Sequence, residues 1–176
     1  MKTIVVFLFL FLGFTQNIFP KIWTLSNQTL KVEVDDKTAL FTVFDKRCKK
    51  TWEQLPMKEK FVVESVVQQG NKLNLKLSGK YNLDVEVILN DESALELNIS
   101  GENSLAVADF EFPAAFKTPD KNHFILMTDS EGLLLQADDK EYPMSSGVTY
   151  YTGGGLAMAW MGVVDPKFEA GYMAIL

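Results

Sequence analysis

The amino-acid sequence predicts an all-β protein, an antiparallel β-sandwich, and three observations carry that expectation. Apolar and polar residues alternate across 83–89, where Leu83, Val85, Val87 and Leu89 are interleaved with Asp84, Glu86 and Ile88, and again across 95–99. Alternation sends successive side chains to opposite faces of a strand, so it marks a sheet with one buried face. Helical periodicity is scarce from Lys21 onward, and short apolar runs are separated by turn-forming pairs such as Asn27-Gln28, Gly70-Asn71 and Gly79-Lys80. Together these describe a meander of hairpins.

Taken in order, residues 22–25 and 30–34 read as two short strands around Asn27-Gln28, and Asp35-Asp36-Lys37 turns the chain into a third over 39–44. A basic loop, 46–50, follows. A second series begins at 61–67, turns at Gly70-Asn71 and returns with Leu73, Leu75 and Leu77 on one face. The strands at 83–89 and 95–99 flank a hairpin turn at 90–93, with polar residues outward, as expected of an antiparallel sheet with one wet face. Residues 107–112 supply a further partner, ended by Pro113, which has no N–H to give a ladder. Beyond it the pattern is less regular: strands at 123–128 and 132–136, an acidic segment 138–141, and a closing stretch from Ser145. There Gly153, Gly154 and Gly155 open an apolar run to Val164, Asp165-Pro166 turns, and a second apolar run ends at Leu176. An apolar strand without a polar tail calls for a neighbour, so the chain reads as the N-terminal portion of something longer, one β-sandwich unit over 16–176 that continues past Leu176.

Composition bounds the function. The 176 residues are 47% hydrophobic and 23% charged, with 13 Phe, 5 Tyr and 3 Trp to fill a core, which argues against disorder. The net charge is −6 with a pI near 4.8, and no Lys/Arg stripe exists, so nucleic acid is not an expected partner. Residues 1–15 read as a secretory signal, with Lys2, an apolar segment over 4–14 and a small-x-small site at Gly13-Phe14-Thr15. A membrane anchor is the alternative, but the segment falls short of the ~20 residues a spanning helix needs. A secreted or periplasmic protein with no membrane contact after cleavage is therefore expected. Cys48 is the single cysteine, so no intrachain disulfide is possible, and its KRCKK setting suggests no catalytic partner. The sequons at Asn27 and Asn98 matter only in a glycosylating host.

Catalytic chemistry has little to stand on. His123 is the single histidine, and one histidine before an apolar strand is more often structural than a proton shuttle. Ser130, Ser145 and Ser146 lack a nucleophile elbow. With Cys48 and His123 as the only soft ligands, no zinc site is expected, and the acidic segment of Asp138, Asp139 and Glu141 has no calcium-loop pattern. Neither metal nor cofactor is expected. Glu86 and Glu96, and Asp109 and Glu111 about Phe110, alternate as a solvated face rather than as the carboxylate pair of a glycosidase. The glycine triplet has neither a phosphate-loop pattern nor a following helix. The aromatic cluster of Tyr150, Tyr151 and Trp160 is the candidate carbohydrate-binding site, since rings can stack on sugar faces; core packing is the ordinary alternative.

The segment GGGLAMAWMGVVD followed by GYMAI, preceded by FEFPAAF and the Leu133-Leu134-Leu135 run, resembles the N-terminal galactose-mutarotase-like β-supersandwich of retaining glycoside hydrolases of the endo-α-N-acetylgalactosaminidase-like group. The resemblance covers residues 22–176 and is strongest after Phe110. It implies a carbohydrate-processing protein in which a downstream (β/α)-barrel of the same polypeptide carries the catalytic carboxylates. None of those has a position here. Mutarotases themselves need two histidines and a carboxylate, and His123 is alone. The expectation is thus a non-catalytic sandwich domain of a secreted glycoside hydrolase, with a free-standing carbohydrate-binding or structural module as the alternative.

Overall fold

In the computed structural model, residues 20–102, 112–118, 122–129, 133–137 and 156–175 are described. They form twelve strands and, among the described residues, no helix. The first sheet has the order β1 (Ile22–Ser26), β2 (Leu30–Asp35), β3 (Phe41–Asp45), β4 (Lys50–Glu53). The second runs β5 (Val62–Gln69), β6 (Lys72–Ser78), β7 (Leu83–Leu89), β8 (Leu95–Gly101). Both are antiparallel meanders of consecutive hairpins. The third sheet has the order β10–β9–β11–β12, from β9 (Phe124–Asp129), β10 (Leu133–Gln136), β11 (Leu156–Asp165) and β12 (Ala170–Ile175). All its pairings are antiparallel too, and β11 inserts between β9 and β12 with a register irregularity between Leu156 and Met161.

The first two sheets pack face to face. Leu25, Leu30, Val32, Val34 and Phe41 from one meet Leu73, Leu75, Leu77, Leu83, Val85, Val87 and Leu89 from the other, all buried. These are the inward members of the alternating runs, and each such side chain contributes about 1.5–3 kcal/mol on leaving water. Phe112 closes one end, edge to face with Phe41 and Phe61 at 6.2 and 5.8 Å. The other end is clasped by polar groups: Asn27 Nδ2 donates to the Asn90 carbonyl at 2.6 Å, and the Thr29 and Ser93 hydroxyls lie 2.6 Å apart. The sequon amide of Asn27 is therefore already engaged within the fold.

Two local expectations need correction. Ala39, expected to begin a strand, sits in the preceding turn with φ 54° and is buried. The basic loop is followed at once by β4, which alternation does not announce because Trp52 is its one apolar residue. The expected strand at 107–112 falls outside the described residues except for Phe112, as does the whole of 1–15.

Candidate functional site

Three hairpins share one loop. Asp35, Asp45 and Asp165 each end a strand, and in each the carboxylate Oδ1 accepts the N–H two residues on: Lys37 at 2.7 Å, Arg47 at 2.9 Å and Lys167 at 3.1 Å. The residue four positions on, Ala39, Lys49 or Glu169, takes a positive φ of 54°, 58° or 49°. An aspartate capping its own turn favours this geometry in the absence of glycine.

The β3–β4 and β11–β12 hairpins match more deeply. Asp45 pairs with Lys50 and Val43 with Trp52; Asp165 pairs with Ala170 and Val163 with Tyr172. These two hairpins meet. Trp52 and Tyr172, at equivalent positions, lie edge to face at 5.0 Å, and Val43 and Val163 pack into the same cluster with Ala170, Cys48 and Phe116.

Their charges differ, and the difference builds the site. Arg47 grips its own Asp45 with both carboxylate oxygens, through Nε at 2.9 Å and a terminal nitrogen at 2.6 Å. That bond, with the charge behind it, holds the Asp45 carboxyl below the usual range against the opposing effect of burial. Asp165 has Lys167 at the matching place, but its side chain lies over the Phe168 ring. The Asp165 carboxylate instead accepts from Lys50 Nζ, reaching over from β4, and Oδ2 lies 3.1 Å from Nε2 of His123. Lys50 Nζ also sits 4.8 Å from the ring centres of both Trp52 and Phe168, within cation–π range. Burial pushes the Asp165 carboxyl up, but the Lys50 bond and charge, His123 and the Lys167 N–H outweigh it, and the group lies below its ordinary range.

This node is closed to solvent: the side chains of His123 and Asp165 are each 3% exposed and that of Lys50 12%. Lys50 Nζ and the Asp165 carboxylate are thus paired out of contact with bulk water. Its chemistry is that of a buried ionic junction. His123 lies between the Asp165 carboxylate and the Trp52 ring, whose centre is 6.3 Å from its own. Among the described residues no group of three His, Cys, Asp or Glu side chains could hold a metal ion.

Of the proposed aromatic platform, Tyr150 and Tyr151 lie outside the described residues. Trp160 is half-buried on β11 and pairs with Ile175. Alternation puts it on the opposite face of the third sheet from Tyr172, so it takes no part in the ionic junction. Asp109, Glu111, Ser130, Asp138, Asp139, Glu141, Ser145 and Ser146 also lie outside the described residues. Glu86 and Glu96 do face outward. Glu86 is engaged by Lys72 at 3.0 Å and Asn98 at 3.1 Å, and these bonds hold its carboxyl below the usual range. Glu86 and Asn98 line a shallow groove of about 570 Å³ on the outer face of the second sheet, with Asn74, Lys76, Asp84 and Ser100. Within it Asn98 donates to Glu86 and the Ser100 hydroxyl to the Asp84 carbonyl.

Lys50 and Gln54 are the residues of this region that sequence reasoning missed. Gln54, buried, accepts from the Phe41 N–H at 2.6 Å and donates to the Ala114 carbonyl at 2.7 Å, beside a bridge to Phe116. The shared pattern V-x-D-x-[KR] at Val43 and Val163 marks the two hairpins as alike but gives no sign that they meet.

The class these features define is an antiparallel β-sandwich protein whose third sheet is joined to it by a buried charge cluster. Comparison with protein-family models and with curated proteins finds no match.

Proposed function

We propose that the chain is a non-catalytic β-sandwich module of a secreted glycoside hydrolase, with the catalytic carboxylates supplied by a separate barrel domain. The supporting observation is the third sheet, which is apolar on both faces. One face, with Val163 and Tyr172, packs on β4. The register puts Trp160, Gly162, Val164, Leu126, Met173 and Ile175 on the other, and there Met173 is 57% and Ile175 72% exposed, with Leu134 at 60%. Sheets apolar on both sides are normally covered on both sides, and an apolar patch of this kind marks an interaction surface. A barrel domain is the cover that the resemblance around FEFPAAF and GYMAI supplies.

The second reading, a carbohydrate-binding module, is favoured by Trp160, a half-buried indole on that same face. The purified chain separates the two. As a docking module it binds an apolar dye and self-associates, and Met173→Lys with Ile175→Lys removes both properties while the circular dichroism stays that of β-structure. As a sugar-binding module it retains immobilised glycans, and Trp160→Ala abolishes retention. Turnover of aryl glycosides that is lost in Asp165→Asn would sink both readings.

A further inference from the structure

The described residues hold two hydrophobic cores of very unequal size. The core between the first two sheets contains fifteen buried residues, whereas the one under the third sheet has three, Trp52, Val163 and Ala170. Among the described residues no strand of the third sheet pairs with a strand of the other two. The gap is spanned, among the described residues, by the edge-to-face contacts of Trp52 with Tyr172 and His123, the packing of Phe116 on Tyr172 at 5.3 Å, the meeting of Val43 and Val163 in one small cluster, the Lys50 ammonium over the Phe168 ring, and the Lys50–Asp165–His123 cluster. Lys50 belongs to β4, Asp165 to β11, and His123 immediately precedes β9, so the cluster ties the first sheet to two segments of the third, and Trp52 lies beside it against both His123 and Tyr172.

We propose that the third sheet is a separately releasable unit, latched to the sandwich by the Lys50–Asp165–His123 cluster. A small apolar contact is readily opened, while a buried ion pair is all-or-none: separating its members in a dry site leaves two uncompensated charges, and opening far enough to hydrate them breaks the ring contacts as well. The latch is also local to one aspartate. Asp45, in the same hairpin loop, is neutralised within its own turn by Arg47 and makes no claim on the third sheet. Release uncovers Trp52, Val43 and Phe116 on one side and Val163 and Tyr172 on the other, two apolar strips that coexist only when apart. The sandwich core, which includes none of the cluster residues, stays closed.

Hydrogen exchange of the full chain, read by mass spectrometry, tests this. In Asp165→Asn the amides of β9, β11 and β12 are expected to exchange at least about tenfold faster, with those of β6 and β7 within about twofold of the parent. Equal acceleration in all these strands, or none in any, overturns the proposal. Should Asp165→Asn fail to fold, the parent chain in sub-denaturing urea gives the same answer. There β9, β11 and β12 open at lower urea and with a smaller urea dependence than β6 and β7, and a single shared opening for both sets overturns it.

Discussion

Trp52 and Tyr172 occupy the same position in two hairpins of the same build, and their rings meet edge to face with centres 5.0 Å apart. Each sits opposite a valine, Val43 and Val163, and each hairpin turns on an aspartate. The contact is thus between residues at equivalent register positions of two like hairpins. Double-mutant cycles with Trp52→Leu and Tyr172→Leu are expected to give a coupling of about 0.5–1.5 kcal/mol in thermal or urea unfolding, as for other aromatic pairs. Additive losses would mean the two rings contribute only by their separate burial.

Acid should act on the junction through Asp165. Its folded carboxyl lies below the ordinary value of 3.8, so its contribution is fully present above that value and is lost as pH falls through the folded value. The groups that bear on it are Lys50 from β4, His123 ahead of β9 and the Lys167 N–H of its own turn. Unfolding free energy of the parent should therefore fall more steeply on acidification below about pH 4 than that of Asp165→Asn. Parallel pH profiles for the two proteins would refute this.

Gln54 serves two backbone groups, the Phe41 N–H and the Ala114 carbonyl, from a buried position. Gln54→Leu keeps the volume and strands both. The expected loss is about 2–4 kcal/mol, since each unsatisfied buried group costs roughly 1–3. A urea midpoint unchanged from the parent would show that water takes over both bonds.

The three aspartate turns place non-glycine residues at positive φ, which glycine tolerates without strain. Lys49→Gly and Glu169→Gly, both at exposed positions, should each stabilise by about 0.5–1 kcal/mol. Ala39 is the contrast: it has the same φ but is 1% exposed, so glycine there also removes a buried methyl worth ~0.8 kcal/mol. Ala39→Gly should therefore gain little or nothing. Melting temperatures of the three variants, ranked with Ala39→Gly lowest, check the argument.

Strands and turns were legible wherever one face is wet. From Leu83 to Leu89 the alternation of side chains reports the strand, its inward face and its turn at once, because burial in a half-exposed sheet repeats every two residues. It failed at β4, where four residues carry one apolar side chain, and at Ala39, where a buried residue belongs to a turn. The junction was not legible at all. Lys50 reads as the end of a basic loop, His123 as a lone histidine and Asp165 as a turn former, and each reading is locally sound. Only the tertiary structure brings them together, because their pairing depends on two hairpins far apart in the chain packing face to face. What sorts Asp165 from Asp45 is a partner within reach: Arg47 satisfies its own turn, whereas Asp165 finds its cation on another sheet. The sequence by itself thus determined an antiparallel all-β protein and most of its turns, since those follow from local periodicity and backbone preference. The buried charge cluster was decided by long-range packing, which brings Lys50 to Asp165 across 115 positions and which no local pattern encodes.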